Sequence, residues 1–129
     1  MIKNGIINGD LASLLARFRH VNTIAIVDGP FPTYPNVETI DLALVMGTPT
    51  VSQVLDAILP HLDLTGMYLA AEFEAKVDAA TVAEYKTHHR GLATTVIPHE
   101  EFKVKVGQAL GIIHTGDATP YSSVILRSG

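Results

Sequence analysis

The stretch that decides the fold of this chain is DLASLLARFRHVNTIAIVDGPFP, residues 10–32. Apolar side chains recur there at the spacing of one helical face, at Leu11, Leu14, Leu15 and Phe18. Asp10 is a favoured N-cap residue, and the basic run at 17–20 suits the C-terminal end of a helix dipole. Residues 23–27 read as a buried strand that the Gly-Pro pair at 29–30 ends. The stretch therefore predicts a helix capped by Asp10 and a buried strand directly behind it.

The rest of the chain alternates the same two patterns. Further strands are expected at residues 39–45, 66–71, 94–97, 110–113 and 123–126. Further helices are expected after Thr48 as N-cap with Pro49 at the first helical position, from Asp78 to about His89, and from Pro98 to about Val106. Because helices and strands alternate with short connections, the sequence predicts an α/β fold with a mostly parallel sheet.

Length and composition restrict the function classes. The chain of 129 residues is long enough for one domain with a core but not for two. Only 17% of the residues are charged and 47% are hydrophobic, so we expect part of the surface to be buried between subunits. A net charge of -4 disfavours a nucleic-acid partner, and the lack of cysteine excludes disulfides and thiolate sites. With no signal-peptide pattern and no apolar run of membrane-spanning length, we expect a soluble cytoplasmic oligomer.

Four polar residues stand out because each lies at a boundary between predicted elements. His20 precedes the first strand, Asp28 follows it, His99 opens the last predicted helix, and Tyr121 precedes the last strand. Ligands of open α/β sheets bind at the carboxyl ends of the strands, which favours Asp28. Five extended residues span roughly 17 Å, so we expect His20 and Asp28 of one copy not to touch. A site that uses both needs a folded-back loop or a second subunit. Taken singly, each of the four is better explained by capping or packing.

Other motifs are weaker. His61, His88 and His89 fit a solvated helix face or end, and Glu84 with His88 forms no complete metal motif. The glycines are too scattered for a nucleotide loop, and no G-x-S-x-G elbow supports a serine hydrolase. The residues by themselves indicate a polar site with one or two histidines and no metal.

Short motifs spread over nearly the whole chain carry a family resemblance. They are Gly5-Ile6-Ile7-Asn8, His20 before its strand, Asp28 after it, Ile40-Asp41-Leu42-Ala43-Leu44 followed by Gly47-Thr48-Pro49, Ala71-Glu72, His99-Glu100-Glu101-Phe102, Thr115-Gly116 and Thr119-Pro120-Tyr121. In their order and intervals these motifs resemble the D-ribose pyranase family, which contains the related fucose mutarotases. The Ile-Asp-Leu-Ala-Leu and Gly-x-Pro matches favour the ribose branch.

The resemblance implies a fold, an activity and an assembly. The fold is a three-layer one, with a sheet of about six strands, helices on both faces, and a single sugar-mutarotase domain over residues 1–129. The activity is that of an isomerase that interconverts the pyranose and furanose forms of free D-ribose without metal or cofactor. Whether it also interconverts the α and β anomers is left open. The assembly is a cytoplasmic homo-oligomer, often a decamer of two stacked pentamers, with the sugar bound between neighbouring subunits.

The resemblance also implies roles for five residues. By position, His20 corresponds to the catalytic proton donor, and the sugar-binding positions are Asp28, His99, Tyr121 and Ser123. Opening a cyclic hemiacetal needs a proton on the ring oxygen and the removal of one from the anomeric hydroxyl. Histidine is the side chain that gives and takes a proton most readily near neutral pH.

The chain departs from the family pattern beside these residues. Asn22, His114 and Ser123 stand where aspartate, arginine and asparagine are usual, and Asp28 is followed by Gly29-Pro30 rather than Ala-Gly. These departures leave three alternatives open: a mutarotase for L-fucose or another monosaccharide, a non-catalytic sugar-binding subunit, and a structural ring protein without a ligand.

Overall fold

Six strands form one sheet at the centre of the computed structural model, which describes residues 1–129. They are β1 (Thr23–Val27), β2 (Thr39–Asp41), β3 (Leu64–Ala70), β4 (Thr94–Ile97), β5 (Gly111–His114) and β6 (Val124–Ser128). Their order across the sheet is β2-β5-β1-β6-β3-β4. β6 is antiparallel to both of its neighbours, and every other pair is parallel. Five strands therefore end at one edge of the sheet, the carboxyl edge, and β6 begins there.

Helices cover both faces of this sheet. They are α1 (Gly9–Ala16), α2 (Val51–Ile58), α3 (Ala71–Lys76), α4 (Ala79–Thr87) and α5 (His99–Val106), with a 3-10 turn at Leu59–His61. None of them has the length and apolar character that a membrane crossing requires.

Alternate side chains of the strands pack into two separate cores. In β1, Ile24 and Ile26 point to a larger core shared with Leu14 of α1 and with α2, α3 and α4. Ala25 and Val27 point to a smaller core that contains Phe102 of α5. Because every second residue of a strand faces the same side, one buried strand serves both cores. The predicted three-layer α/β fold with a mostly parallel sheet is confirmed.

Two predicted helix caps are wrong. Asn8, not Asp10, caps α1, because its Oδ1 accepts the backbone N–H of Leu11 at 2.9 Å and leaves Asp10 in the first turn. Thr50, not Thr48, caps α2. Its hydroxyl accepts from the backbone N–H of Gln53 at 3.0 Å, while the Gln53 side chain accepts the Thr50 N–H at 2.8 Å. This reciprocal capping box satisfies two N–H groups at once, and it places Pro49 outside the helix.

Strand β2 and helix α3 also differ from prediction. β2 ends at Asp41 rather than at residue 45, because the chain folds back so that the backbone N–H of Leu44 donates to the Thr48 carbonyl at 3.0 Å. Helix α3 was not predicted. It follows β3 without a loop and is only six residues long, too short for an apolar periodicity to be visible.

His89 is buried rather than solvated, which corrects the sequence interpretation. Helix α4 ends at Thr87, and the chain then reverses through Arg90 and Gly91, whose φ angles are 54° and 69°. The reversal leaves His89 only 5% exposed. A capping pattern read along the helix does not reveal this, because the turn after the helix decides which way the side chain faces.

Candidate functional site

The centre of the site is a buried pair, Asp28 and Ser123. Asp28 follows β1 and Ser123 precedes β6, and since these strands are antiparallel neighbours both residues lie at the carboxyl edge. The Ser123 hydroxyl accepts the backbone N–H of Asp28 at 2.8 Å and donates to the Asp28 Oδ2 at 2.8 Å. Both residues are almost fully buried. One serine therefore fixes both the backbone and the carboxylate of the aspartate.

The environment of Asp28 makes its carboxyl easier to protonate than usual. Burial raises the pKa of Asp28, and the negative charge of Asp117 adds to the rise. The hydrogen bond from Ser123 and the nearby His99 act in the opposite direction and lower the pKa. A buried carboxylate whose side-chain partner is a neutral hydroxyl is a strong acceptor for ligand hydroxyls.

His99 lies against aromatic rings beside this pair. Its backbone N–H, at the start of α5, donates to both Glu72 carboxylate oxygens at 3.0 Å, which fixes the residue. The imidazole meets the ring of Tyr121 edge-on, with 5.0 Å between the centroids, and stacks on Phe102 at 6.3 Å. Its Nδ1 is buried without a hydrogen-bond partner. Because a buried polar atom left unpaired is costly, this nitrogen is a candidate hydrogen-bond partner for a ligand group.

Tyr121 is held in an unusual backbone conformation. Its φ angle of 62° lies in the left-handed region, which a tyrosine rarely adopts. The Nζ of Lys76 lies 5.7 Å from the centroid of its ring. Strained backbone of this kind is concentrated at functional sites, so the conformation supports a role for this residue.

His20 lies at the opposite edge of the sheet. It is exposed, and its Nδ1 is 2.5 Å from the carbonyl oxygen of Gly129, just past the end of β6. Asp28 in contrast bonds to Ser123, just before the start of that strand. The Asn22 side chain accepts the backbone N–H of Arg19 at 2.9 Å rather than contacting the His20 ring. One chain thus brings together four of the five predicted site residues and leaves His20 apart from them.

Sequence reasoning missed the residue behind the site, Asp117. It is 1% exposed, and its carboxylate accepts from the backbone N–H of Val51 at 2.9 Å and from the Tyr85 hydroxyl at 2.8 and 2.9 Å. Burial, together with this contact, raises the pKa of Tyr85 to about 12. The backbone carbonyl of Asp117 accepts the N–H of Gly29 at 2.8 Å, so this network supports the Asp28 segment. The only sequence signal was its position directly after Thr115-Gly116.

A cavity lies beside the cluster rather than within it. It measures about 380 Å³ and is lined by residues that include Val27, Phe31, Tyr34, Asp41 and His114. The ring of Phe31 separates it from His99, at a centroid distance of 5.9 Å. The structure has no group of three or more histidine, cysteine, aspartate or glutamate side chains that could hold a metal ion.

The chain is similar to known proteins over its whole length. The RbsD / FucU transport protein family matches residues 1–129. The D-ribose pyranase of Geobacillus kaustophilus is 39% identical over 129 residues, which are 100% of this chain and 94% of that protein. The D-ribose pyranase of Geobacillus thermodenitrificans is 42% identical over 130 residues, covering 100% and 97%.

Solved structures give the same relationship. Bacillus subtilis RbsD complexed with D-ribose has a TM-score of 0.90 and 31% identity, and the match covers 100% of this chain and 98% of that chain. The fucose mutarotase of Streptococcus pneumoniae in complex with L-fucose has a TM-score of 0.79 over 99% and 98% of the chains, but its 20% identity shows the shared fold alone. The chain belongs to the RbsD / FucU transport protein family.

Proposed function

We propose that this protein is a D-ribose pyranase, an isomerase that interconverts the pyranose and furanose forms of free D-ribose within one domain, residues 1–129. The full-length relatives named D-ribose pyranase support the substrate. The observation that carries the proposal is the unpaired, buried Nδ1 of His99, a residue whose charge acts on the Asp28 carboxylate. Together they offer two neighbouring hydrogen-bonding groups to a neutral polyol, next to the ring of Tyr121.

Each residue in the cluster has a chemically distinct task. The Asp28 carboxylate accepts hydrogen bonds from sugar hydroxyls, and His99 Nδ1 pairs with another hydroxyl. The aromatic faces of Tyr121 and Phe31 suit the apolar C–H face of a sugar ring. Ser123 already donates its only hydroxyl hydrogen to Asp28, so toward the sugar it acts as an acceptor and, above all, orients the carboxylate.

His20 supplies the acid and base chemistry from a second copy of the chain. It protonates the ring oxygen while solvent water takes the proton of the anomeric hydroxyl, which becomes the carbonyl oxygen. When another hydroxyl closes the ring, His20 takes the proton of that hydroxyl and solvent returns a proton to the carbonyl oxygen. Its place at the opposite edge of the sheet, exposed and distant from Ser123, favours a site completed between subunits. Exposed apolar side chains at Leu44, Val45 and Met46 (78%, 61% and 72% exposed) favour association as well. We further propose that the protein is a homodecamer of two stacked pentamers and that it works in the cytoplasm without metal or cofactor.

The direct test is saturation-transfer NMR between the ring forms of D-ribose, with L-fucose in parallel. We expect the protein to accelerate the exchange between ribose pyranose and furanose, and His20→Ala to remove about 10²- to 10⁴-fold of the acceleration. His61→Ala, at another exposed histidine, is the matched control and keeps the rate. Acceleration of exchange in L-fucose alone would identify L-fucose, not D-ribose, as the substrate. Ribose binding without any acceleration would indicate a sugar-binding subunit instead. Full activity after dialysis against a chelator is expected.

The shared site has its own test. His20→Ala and Asp28→Asn are each expected to be inactive alone. When they are co-expressed in equal amounts, random assembly pairs an intact His20 with an intact Asp28 at about one quarter of the interfaces. Recovery of about a quarter of the wild-type rate supports the interface site. No recovery in mixed oligomers, or sedimentation as a monomer at micromolar concentration, contradicts it.

A further inference from the structure

His114 has hydrogen-bond acceptors on both sides of its ring. It ends β5 with Nε2 2.9 Å from the carbonyl oxygen of Gly29 and Nδ1 2.8 Å from the Oδ1 of Asp41. A neutral imidazole has a single N–H and can donate to only one of the two acceptors, whereas the imidazolium donates to both. The geometry therefore fits the charged form of His114.

The groups that face His114 favour that charge. The negative side chains are Asp41 from β2 and Asp28 from the segment after β1. Tyr34 lines the same cavity, but its hydroxyl donates to the Lys103 carbonyl at 2.8 Å. Burial lowers the pKa of His114, but the hydrogen bonds to Gly29 and Asp41 outweigh burial and leave the pKa above its ordinary value. The bond from His114 in turn lowers the pKa of Asp41.

Gly29 belongs to the segment that carries the sugar site. Three hydrogen bonds to other segments hold the backbone of Asp28 and Gly29: Asp28 N–H to the Ser123 hydroxyl at 2.8 Å, Gly29 N–H to the Asp117 carbonyl at 2.8 Å, and the Gly29 carbonyl to His114. The donors of the first two are backbone amides, which do not titrate. The third depends on the proton of His114, because the neutral imidazole keeps its one N–H on the charged Asp41 carboxylate, the stronger acceptor, and no longer donates to Gly29. Asp28 precedes the held carbonyl directly, and the ring of Phe31 follows two residues later.

We propose that His114 is a positioning residue for the sugar site. Its imidazolium holds the Gly29 carbonyl and so fixes Asp28 and Phe31 for the sugar, and sugar binding weakens when His114 loses its proton. This inference rests on the proposed function, because it places His114 behind the residues that bind ribose. It acts on KM and not on the proton transfer, which His20 performs.

The experiment measures ribose exchange against ribose concentration from pH 5.5 to 8.5 in four proteins: wild type, His114→Gln, His114→Arg and Asp41→Asn. In the wild type we expect KM to rise about fivefold as His114 loses its proton, while kcat stays unchanged. The fivefold rise corresponds to the loss of one net hydrogen bond. His114→Gln has the high KM at every pH. His114→Arg stays charged, can donate to both acceptors and has the adjoining cavity to occupy, so it restores a low KM that no longer changes with pH. Asp41→Asn moves the rise in KM to lower pH, because it removes a negative charge.

Two results would overturn the inference. One is a His114→Gln protein with the KM and pH profile of the wild type, and the other is a His114→Arg protein that keeps the wild-type rise in KM. Failure of the proposed function is a separate result, in which the wild type accelerates no ribose exchange at any pH. In that case the amide NMR shift of Gly29 still reports on the contact. It is expected to follow the imidazole titration of His114 in the wild type and not in His114→Gln, and the lack of such coupling refutes the positioning role.

Discussion

The buried His89 makes the stability of this protein depend on pH in a calculable way. Burial, with the charges of Lys86 and His88 adding to it, lowers the pKa of His89 to about 4 from the ordinary 6.5. The unfolded chain therefore binds a proton at higher pH than the folded chain does. The stability that the neutral His89 maintains is complete above the unfolded pKa and is lost as the pH falls toward the folded pKa. For this one group the loss is about 1.4 kcal/mol at pH 5.5 and about 2.5 kcal/mol at pH 4.5, relative to pH 7.5.

The perturbation that isolates this effect is His89→Leu. Leucine does not titrate and removes the buried, unpaired Nε2 of the imidazole. The free energy of unfolding is measured by urea denaturation for both proteins at pH 7.5, 6.5, 5.5 and 4.5, at one fixed protein concentration because association adds to stability. We expect the variant to gain about 2.5 kcal/mol relative to the wild type between pH 7.5 and pH 4.5.

Val82→Ala is the matched control for this experiment. Val82 is a buried residue of α4 without a titratable group, so its truncation changes stability by an amount that does not vary with pH. If the difference between wild type and His89→Leu is also constant with pH, the folded protein admits a proton at His89 and the reasoning from burial is wrong.

Two further stability predictions concern the network around Asp117. Tyr85→Phe removes the hydroxyl that donates to the Asp117 carboxylate and keeps the ring. We therefore expect the free energy of unfolding, measured by urea denaturation, to fall by about 1.5–3 kcal/mol, and a fall of less than about 0.75 kcal/mol contradicts the network. Gly116→Ala places a Cβ 2.6 Å from the backbone carbonyl oxygen of Thr48, so we expect a loss of about 1–3 kcal/mol or more. Gly9→Ala, whose Cβ meets nothing within 4 Å, is the control and should lose nothing in the same assay.

Local patterns along the sequence determined the class of the fold and pointed to most of the candidate site residues. The alternation of apolar periods predicted an α/β protein, and the run Thr23–Val27 is strand β1 as predicted. His20, Asp28, His99 and Tyr121 were recognisable because each lies at a boundary between such elements. Ser123 was identified only by the family resemblance. Residue type and spacing act over a few positions, and a sequence displays these directly.

Tertiary structure decided what the chain brings together from a distance. The antiparallel placement of β6 between β1 and β3 sets Ser123 beside Asp28, 95 residues away in sequence. The parallel pairing of β5 with β1 places His114 against Gly29, and the packing of the turn after α4 buries His89. Burial, pKa shifts and the hydrogen bonds that hold Asp28 all depend on which distant segments pack together. Local sequence patterns specify the elements but not their neighbours, so these properties exist only once the sheet has formed.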